Sequence, residues 1–434
     1  MKRCSFFKPM LLAVLGSAAL SANAAETVTT NSMALTLDAV VADALAKNPE
    51  LKFYQAEIAA AKAGRKTAGQ LGNPELSSSV GQKTAHGSGL SAEGVAWSVS
   101  VAQPFGWPGR IGLRKAIANR DIELAELGYQ RFKFALVGRV RTLAFGLFAA
   151  QEKAAAAREV ADRFQALREV LVQRDPAGLT PLLETRVIEA TELTMQRKAS
   201  EAELAAQAAL LELNQLRGVT PTVHLSVSSS HLTFRPAESV ESLVALARTN
   251  NFELRLRAVE LAQQGFRVQL AKNERFPVIS VGPSISEERA GDRQRIIGVG
   301  VSLPLPLWNR NKGNIDAAVA RQMQADVSLN VTEREIQRKV VEAALTYESK
   351  LREMAKWRPD SVQHFKEAAE VADRHYRLGA VPISTYVELQ KQYLEAVEGL
   401  LDTRKEALDS AQQLERLTGL TPPLTSIGAK EEQK

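Results

Sequence analysis

The residues best suited to chemistry in this chain are few and scattered. Five histidines, His86, His224, His231, His364 and His375, are the natural metal ligands or acid–base groups. None makes a close pair with another histidine or a cysteine at ligand spacing, which argues against a stored metal ion. The one cysteine, Cys4, lies near the N-terminus, ahead of an apolar run, so the rest of the chain has no thiol nucleophile, no disulfide and no thiolate metal site. "GVG" at Gly298–Gly300 lacks the third glycine of a dinucleotide loop. There is no phosphate loop, no nucleophile elbow and no arguable pair of catalytic carboxylates. These observations predict a protein that is not an enzyme and carries no cofactor.

The ends of the chain point to export. Lys2, Arg3 and Lys8 precede the apolar "LLAVLGSAAL", and Ala22 and Ala24 form a small-x-small cleavage site. Residues 1–24 read as a secretory signal peptide, followed by an N-terminal extension over 25–35. Loss of those three basic residues lowers the net charge from +6 to about +3, which gives no reason to expect a nucleic-acid partner. No later run reaches the roughly 18 apolar residues of a membrane-spanning helix.

The elements that position any site come in two copies. "NPELKFYQAEIA" at Asn48–Ala59 matches "NFELRLRAVELA" at Asn251–Ala262, and "LRGVTP" from Leu216 matches "LTGLTP" from Leu417. Gly178 and Pro181 fall on Gly379 and Pro382 at the same offset of about 200 residues. The spacing predicts a first repeat over 36–221 and a second over 239–422. A Ser/Thr/Pro-containing linker over 222–238 joins them, and a tail covers 423–434. Each repeat reads as a short helix, a longer helix, two strands, a very long helix and a returning helix. The first strands are expected at about 74–86 and 94–104, with a long helix at about 108–174 and a tip at 175–180. The second set is expected at about 277–288 and 294–304, with a long helix at about 309–377 and a tip at 378–382. Asp38 is placed to cap the first helix. Leu136, Val140, Leu143 and Leu147 form a coiled-coil-like seam, repeated by Ile336, Val340, Ala343 and Tyr347.

The strands alternate. Val95, Trp97, Val99 and Val101 face one way, and Ala96, Ser98, Ser100 and Ala102 the other. The second copy repeats this with Ile297, Val299, Val301 and Leu303 against Gly298, Gly300 and Ser302. Two settings fit: a sheet over a soluble core, or a barrel with lipid outside and water inside. Export, strand length and the small polar row favour the barrel. Four strands cannot close one, so several chains would have to share it. The phrases "QPFGWPGR" and "LPLPLWNR" end each strand pair. Pro104, Pro304 and Pro306 are expected to stop the strands, and Pro108 to open a helix. Trp107 and Trp308 suit either core packing or a lipid–water interface.

With these residues in place, the chain resembles the TolC family of outer-membrane efflux proteins over essentially all of its mature length. "VSLPLPLWNRNKGNIDAA" is most similar to the heavy-metal, cobalt–zinc–cadmium type branch of the outer-membrane factors of resistance-nodulation-division pumps. The resemblance implies a mainly α fold with a small β part. It implies a homotrimer whose transmembrane β-barrel of about twelve strands continues as a periplasmic α-helical coiled-coil tunnel. It implies a passive exit duct in outer-membrane lipid, working with a periplasmic adaptor and an inner-membrane pump of the resistance-nodulation-division class. The adaptor would dock at the helix tips, here Ala177, Gly178, Leu179 and Thr180, and Leu378, Gly379, Ala380 and Val381. Glu184 and Glu388 fall where the family's acidic residues line the closed periplasmic entrance. Thr385 stands where an acid is common, and Val381 where a basic residue can link the gate. The alternatives are a duct for organic compounds or a type I secreted protein, and a periplasmic coiled-coil scaffold that is not a channel.

Overall fold

The computed structural model describes residues 35–87, 90–174, 182–228, 231–358, 360–419 and 423–428. In chain order the first copy supplies α1 (Leu37–Lys47), α2 (Pro49–Ala68), β1 (Glu75–Gly87), β2 (Leu90–Phe105), α3 (Arg110–Arg174) and α4 (Leu182–Arg217). A short strand β3 (His231–Phe234) precedes the second copy: α5 (Val240–Asn250), α6 (Phe252–Asn273), β4 (Ile279–Ala290), β5 (Asp292–Ser302), α7 (Lys312–Met354), α8 (Ser361–Arg377) and α9 (Ile383–Thr418). Strand β6 (Thr425–Gly428) follows. At 1.5 Å per residue, α3 is about 100 Å long.

Both seams are buried. Leu136, Val140 and Leu147 are covered by α1, α4 and α9 neighbours, while Ile336, Val340, Ala343 and Tyr347 form a second cluster with α5 and α9. Each copy is also fastened to itself by the residues that repeat most closely. Asn48 caps α2 by accepting from the Glu50 N–H at 2.9 Å and donates to the Leu216 carbonyl at 2.7 Å. Asn251 does the same for α6, accepting from Glu253 and donating to Leu417 at 2.8 Å. Gly218 (φ +66°) and Gly419 (φ +64°) end α4 and α9 against these asparagine corners. A side chain at Gly218 would meet the Lys47 carbonyl at 2.7 Å, so the close approach and the left-handed turn both require glycine.

The four long strands form one antiparallel sheet in the order β1-β2-β4-β5, so the β2–β4 pairing joins the two copies. Registers such as Val80↔Trp97, Val99↔Ile285 and Ile285↔Ile297 put the large apolar residues on one face. Val80, Ile297 and Val299 are 74–80% exposed there, an uncovered apolar face. The opposite face carries Ser79, Ser98, Ser100, Ser284 and Ser286, with a Ser79–Ser98 hydrogen bond of 2.8 Å. Among the described residues, strands β1 and β5 each lack a second neighbour.

Several expectations need correction. The second long helix over 309–377 is two helices, because α7 ends at Met354 and α8 starts at Ser361. Pro359 in "WRPD" has no N–H and disfavours helix at the residue before it. Beside this break, the Trp357 ring lies against Gly399 of α9. Thr36, not Asp38, caps α1 by accepting from the Ala39 N–H, and Asp38 falls within the first turn. Pro104 does not stop β2, which pairs Pro104 with Ser280 and runs to Phe105. Pairing with β1 has already ended at Ala102, so Pro104 sits where the strand has a neighbour on one side only. Pro108 lies in the turn before α3 rather than in its first turn. The second hairpin has almost no loop: β4 continues to Ala290 and β5 begins at Asp292, around Gly291 (φ +86°). The linker and tail are not purely connecting segments, since β3 and β6 pair.

The β2–β4 seam depends on absent side chains. A Cβ at Gly282 would stand 1.6 Å from the Val101 carbonyl oxygen, and one at Gly94 1.5 Å from that of Arg289. A Cβ at Gly298 would meet only the Ser284 hydroxyl, at 3.8 Å. Gly282→Val is therefore expected to separate the two hairpins and cut the protein recovered in the membrane fraction by at least about tenfold, a loss of order 1.4 kcal/mol or more. Gly298→Val should be tolerated. Equal recovery of both variants would show that the seam does not need this close approach.

Candidate functional site

Two regions of the fold could carry function without bond-making chemistry: the ends of the long helices and the junction between sheet and helices. The first tip, Ala177–Thr180, lies outside the described residues. The second is defined. Helix α8 closes with Leu378, and Gly379 (φ +72°) takes the left-handed turn. The Gly379 N–H donates to the Tyr376 carbonyl and the Ala380 N–H to that of His375, both at 2.9 Å, which is the hydrogen-bond pattern of a Schellman cap. Leu378 is 80% exposed at the turn, and Val381 is half-buried. Pro382 then leads into α9.

Beneath this tip sits an aromatic cluster. Tyr386 is fully buried, stacks on Tyr376 at 5.3 Å between ring centroids, and meets Phe164 of α3 edge-on at 5.2 Å. Burial pushes the phenol of Tyr386 far above its ordinary value, with the charge of Asp373 adding to the effect. Tyr376 is raised by burial and by the carboxylate of Glu184, so Glu184 of the first copy acts electrostatically on the second copy's tip. Glu184 is half-buried in the first turn of α4. Thr385 and Glu388 are exposed on α9; Glu388 accepts from Gln392 of its own helix at 2.9 Å.

One helical turn further along, Gln390 has no exposed surface. It donates to the Ala369 carbonyl of α8 at 2.8 Å and accepts from Arg163 of α3 at 3.2 Å. Arg163 also holds Glu159 at 2.6 Å, with Lys366 at 3.4 Å from the same carboxylate. Burial and the nearby Glu159 charge push the Tyr393 phenol up to about 12. This network ties three helices together behind the tip. Sequence reasoning missed it, and the only available signal was the pair of tyrosines flanking "RLGAVPIST".

At the junction, Arg110 is buried and reaches across to the other copy. Its Nε donates to Asn273 Oδ1 at 3.0 Å and its Nη2 to the Phe276 carbonyl at 2.7 Å. Asn273 returns a bond to the Pro108 carbonyl at 2.9 Å. Trp107 stacks on Phe276 at 4.5 Å with planes 13° apart. The second copy is built differently: Trp308 is 93% exposed, Arg310 is exposed, and Asn311 (φ 60°) makes the tie by donating to the Ala271 carbonyl at 2.9 Å. Pro304 and Pro306 follow the end of β5 at Ser302. Among the described residues no group of three or more His, Cys, Asp or Glu side chains could hold a metal ion, and no helix is long and apolar enough to cross a membrane.

A family model described as outer membrane efflux protein matches residues 40–219 and 243–420, once in each copy. The chain is 23% identical over 292 residues to the cobalt-zinc-cadmium resistance protein CzcC of Cupriavidus metallidurans, covering 67% of this chain and 68% of that one. It is 26% identical over 299 residues to the nickel-cobalt-cadmium resistance protein NccC of Alcaligenes xylosoxydans xylosoxydans, covering 67% and 65%. These matches span about two thirds of each metal-resistance protein. A longer match, 22% identical over 411 residues and covering 88% and 85%, is to the pyoverdine export outer membrane protein OpmQ of Pseudomonas aeruginosa. The fold is similar to that of the CmeC outer membrane channel of Campylobacter jejuni, with a TM-score of 0.72, 16% identity, and coverage of 95% of this chain and 94% of that one.

Arg110→Ala would leave Asn273 Oδ1 and the Phe276 carbonyl without the donor that Arg110 supplies. The expected cost is about 2–3 kcal/mol, the value of hydrogen bonds from a charged donor. Arg310→Ala should cost little. Thermal loss of the helical circular dichroism signal checks this, and equal midpoints for both variants would deny Arg110 its bridging role.

Proposed function

We propose, from the premise that this chain belongs to the outer membrane efflux protein family, that it is the outer-membrane exit duct of a tripartite heavy-metal efflux system. It is a conduit, not an enzyme. The observation that carries the reading is the four-stranded sheet, apolar on one face and small or polar on the other, mounted on long paired helices. Such a sheet suits a wall between lipid and water.

In this reading three chains share one barrel of about twelve strands, each β5 edge pairing with the β1 edge of the next chain. The helices prolong the barrel through the periplasm. The exposed turn at Leu378–Val381, with its counterpart at Ala177–Thr180, is the docking surface for a periplasmic adaptor, which links the duct to an inner-membrane pump of the resistance-nodulation-division class. The pump supplies the driving force, and the duct only has to open. Glu184 and Glu388 act at the periplasmic entrance, with Thr385 one turn before Glu388 on α9, and the Glu184 charge raises the Tyr376 phenol. Heavy-metal cations are the cargo favoured by the likeness to CzcC and NccC. The longer match to OpmQ favours a second reading, an organic cargo carried by the same duct.

Deletion of the gene, followed by measurement of cell-associated zinc, cobalt, cadmium, nickel and copper after graded exposure, tests the cargo. Selective accumulation reversed by the intact gene is expected. Unchanged metal content in a strain without a redundant duct would transfer the assignment to organic cargo. The entrance is tested separately in planar bilayers. The Glu184→Ala/Glu388→Ala double variant is expected to conduct with weaker cation selectivity than the parent, and identical traces would remove both glutamates from the gate.

A further inference from the structure

The second hairpin carries a charged cluster on its apolar face. Strand alternation and the pairs Trp97↔Glu287, Glu287↔Arg295 and Arg289↔Arg293 put Glu287, Arg289, Arg293 and Arg295 on the same face as Ile285, Ile297 and Val299. The four lie at the turn end of the hairpin, away from the helices that both strands lead into. The Glu287 side chain is only 3% exposed, whereas the three arginines are 53–60% exposed. Its carboxylate accepts from Arg289 at 2.9 Å, Arg293 at 2.7 Å and Arg295 at 3.0 Å. One anion therefore gathers three cations and leaves an excess of two positive charges. Each guanidinium has five N–H donors in a planar fork, so donors remain for an outside ligand. Among the described residues, the corresponding end of the first hairpin offers no such cluster: Lys83 there lies on the small-residue face, paired with Glu288 at 2.6 Å.

Charged side chains on the lipid face of a barrel are costly near the bilayer midplane and are tolerated at its interfaces. With the helices on the periplasmic side, this end of the hairpin meets the outer leaflet. Arginine forks match phosphate oxygens through paired, charge-assisted hydrogen bonds. We propose that Arg289, Arg293 and Arg295, held by Glu287, form a binding site for the phosphate of an outer-leaflet glycolipid, whose acyl chains lie along Ile297, Val299 and Val301. Three chains in one barrel would present three such sites. The proposal rests on the outer-membrane reading given above. The lipid is the occupant because the site continues an apolar band that acyl chains would cover.

The test uses the mature full-length protein, delipidated in mild detergent and titrated with bis-phosphorylated or dephosphorylated lipid A under native mass spectrometry. The wild type is expected to bind the phosphorylated form at least about tenfold more tightly. In the Arg289→Gln/Arg293→Gln/Arg295→Gln variant that preference should vanish. The single variant Arg293→Gln, which leaves Arg289 and Arg295 on the Glu287 carboxylate, should lose part of it. Millimolar inorganic phosphate should not displace the lipid. Absence of any preference in the wild type, its persistence in the triple variant, or displacement by inorganic phosphate would each overturn the proposal. So would a lower oligomer dissociation temperature in the triple variant, because the arginines would then be holding a neighbouring chain. Fractionation separates this from the premise. Wild-type protein found only in periplasmic extract defeats the outer-membrane reading, whereas outer-membrane protein without a phosphate preference defeats the lipid site alone.

Discussion

A strand edge inside hydrocarbon has no water to bond with, and this constraint governs the rest of the molecule. Each unpaired N–H or C=O there costs several kcal/mol. Among the described residues of one chain, β1 and β5 are such edges. The apolar face beside them is exposed, with Val80, Ile297 and Val299 open to their surroundings. A sheet of this kind is stable in lipid only when copies of itself supply the missing neighbours. Four strands per chain then make the shared barrel the natural solution.

The duplication serves that geometry. Each copy delivers one hairpin to the sheet and one set of helices below it, and the β2–β4 pairing turns two hairpins into one wall. The copies are closed by the same device, an asparagine that caps one helix while bonding the last turn of another. They differ where sheet meets helix. Arg110 and Trp107 are locked against α6 and Phe276, while Trp308 and Arg310 stand free and Asn311 makes the tie. A pseudo-symmetric chain can thus be firm on one side of its junction and open on the other.

Much of this was legible in the residues. Period-two alternation exposed the two-faced strands, and the repeat of "NPEL" and "LRGVTP" exposed the two copies. The illegible parts have physical reasons. The stretch between the strands expected at about 277–288 and 294–304 is polar, yet its residues continue the ladder, because backbone pairing does not require apolar side chains. Pro104 looks like a strand stop, yet it sits where only one neighbour asks for hydrogen bonds. The α7–α8 break was masked by helix-favouring residues on both sides of Pro359. The Arg163–Gln390 network depends on three helices meeting, which no local spacing encodes.

The most direct measurement is the mass of the purified mature protein in mild detergent, by light scattering corrected for bound detergent. Closure of the sheet by copies of itself predicts a particle of three chains that persists on dilution. A stable monomer in which the apolar strand face remains exposed would contradict the shared barrel, and with it the duct.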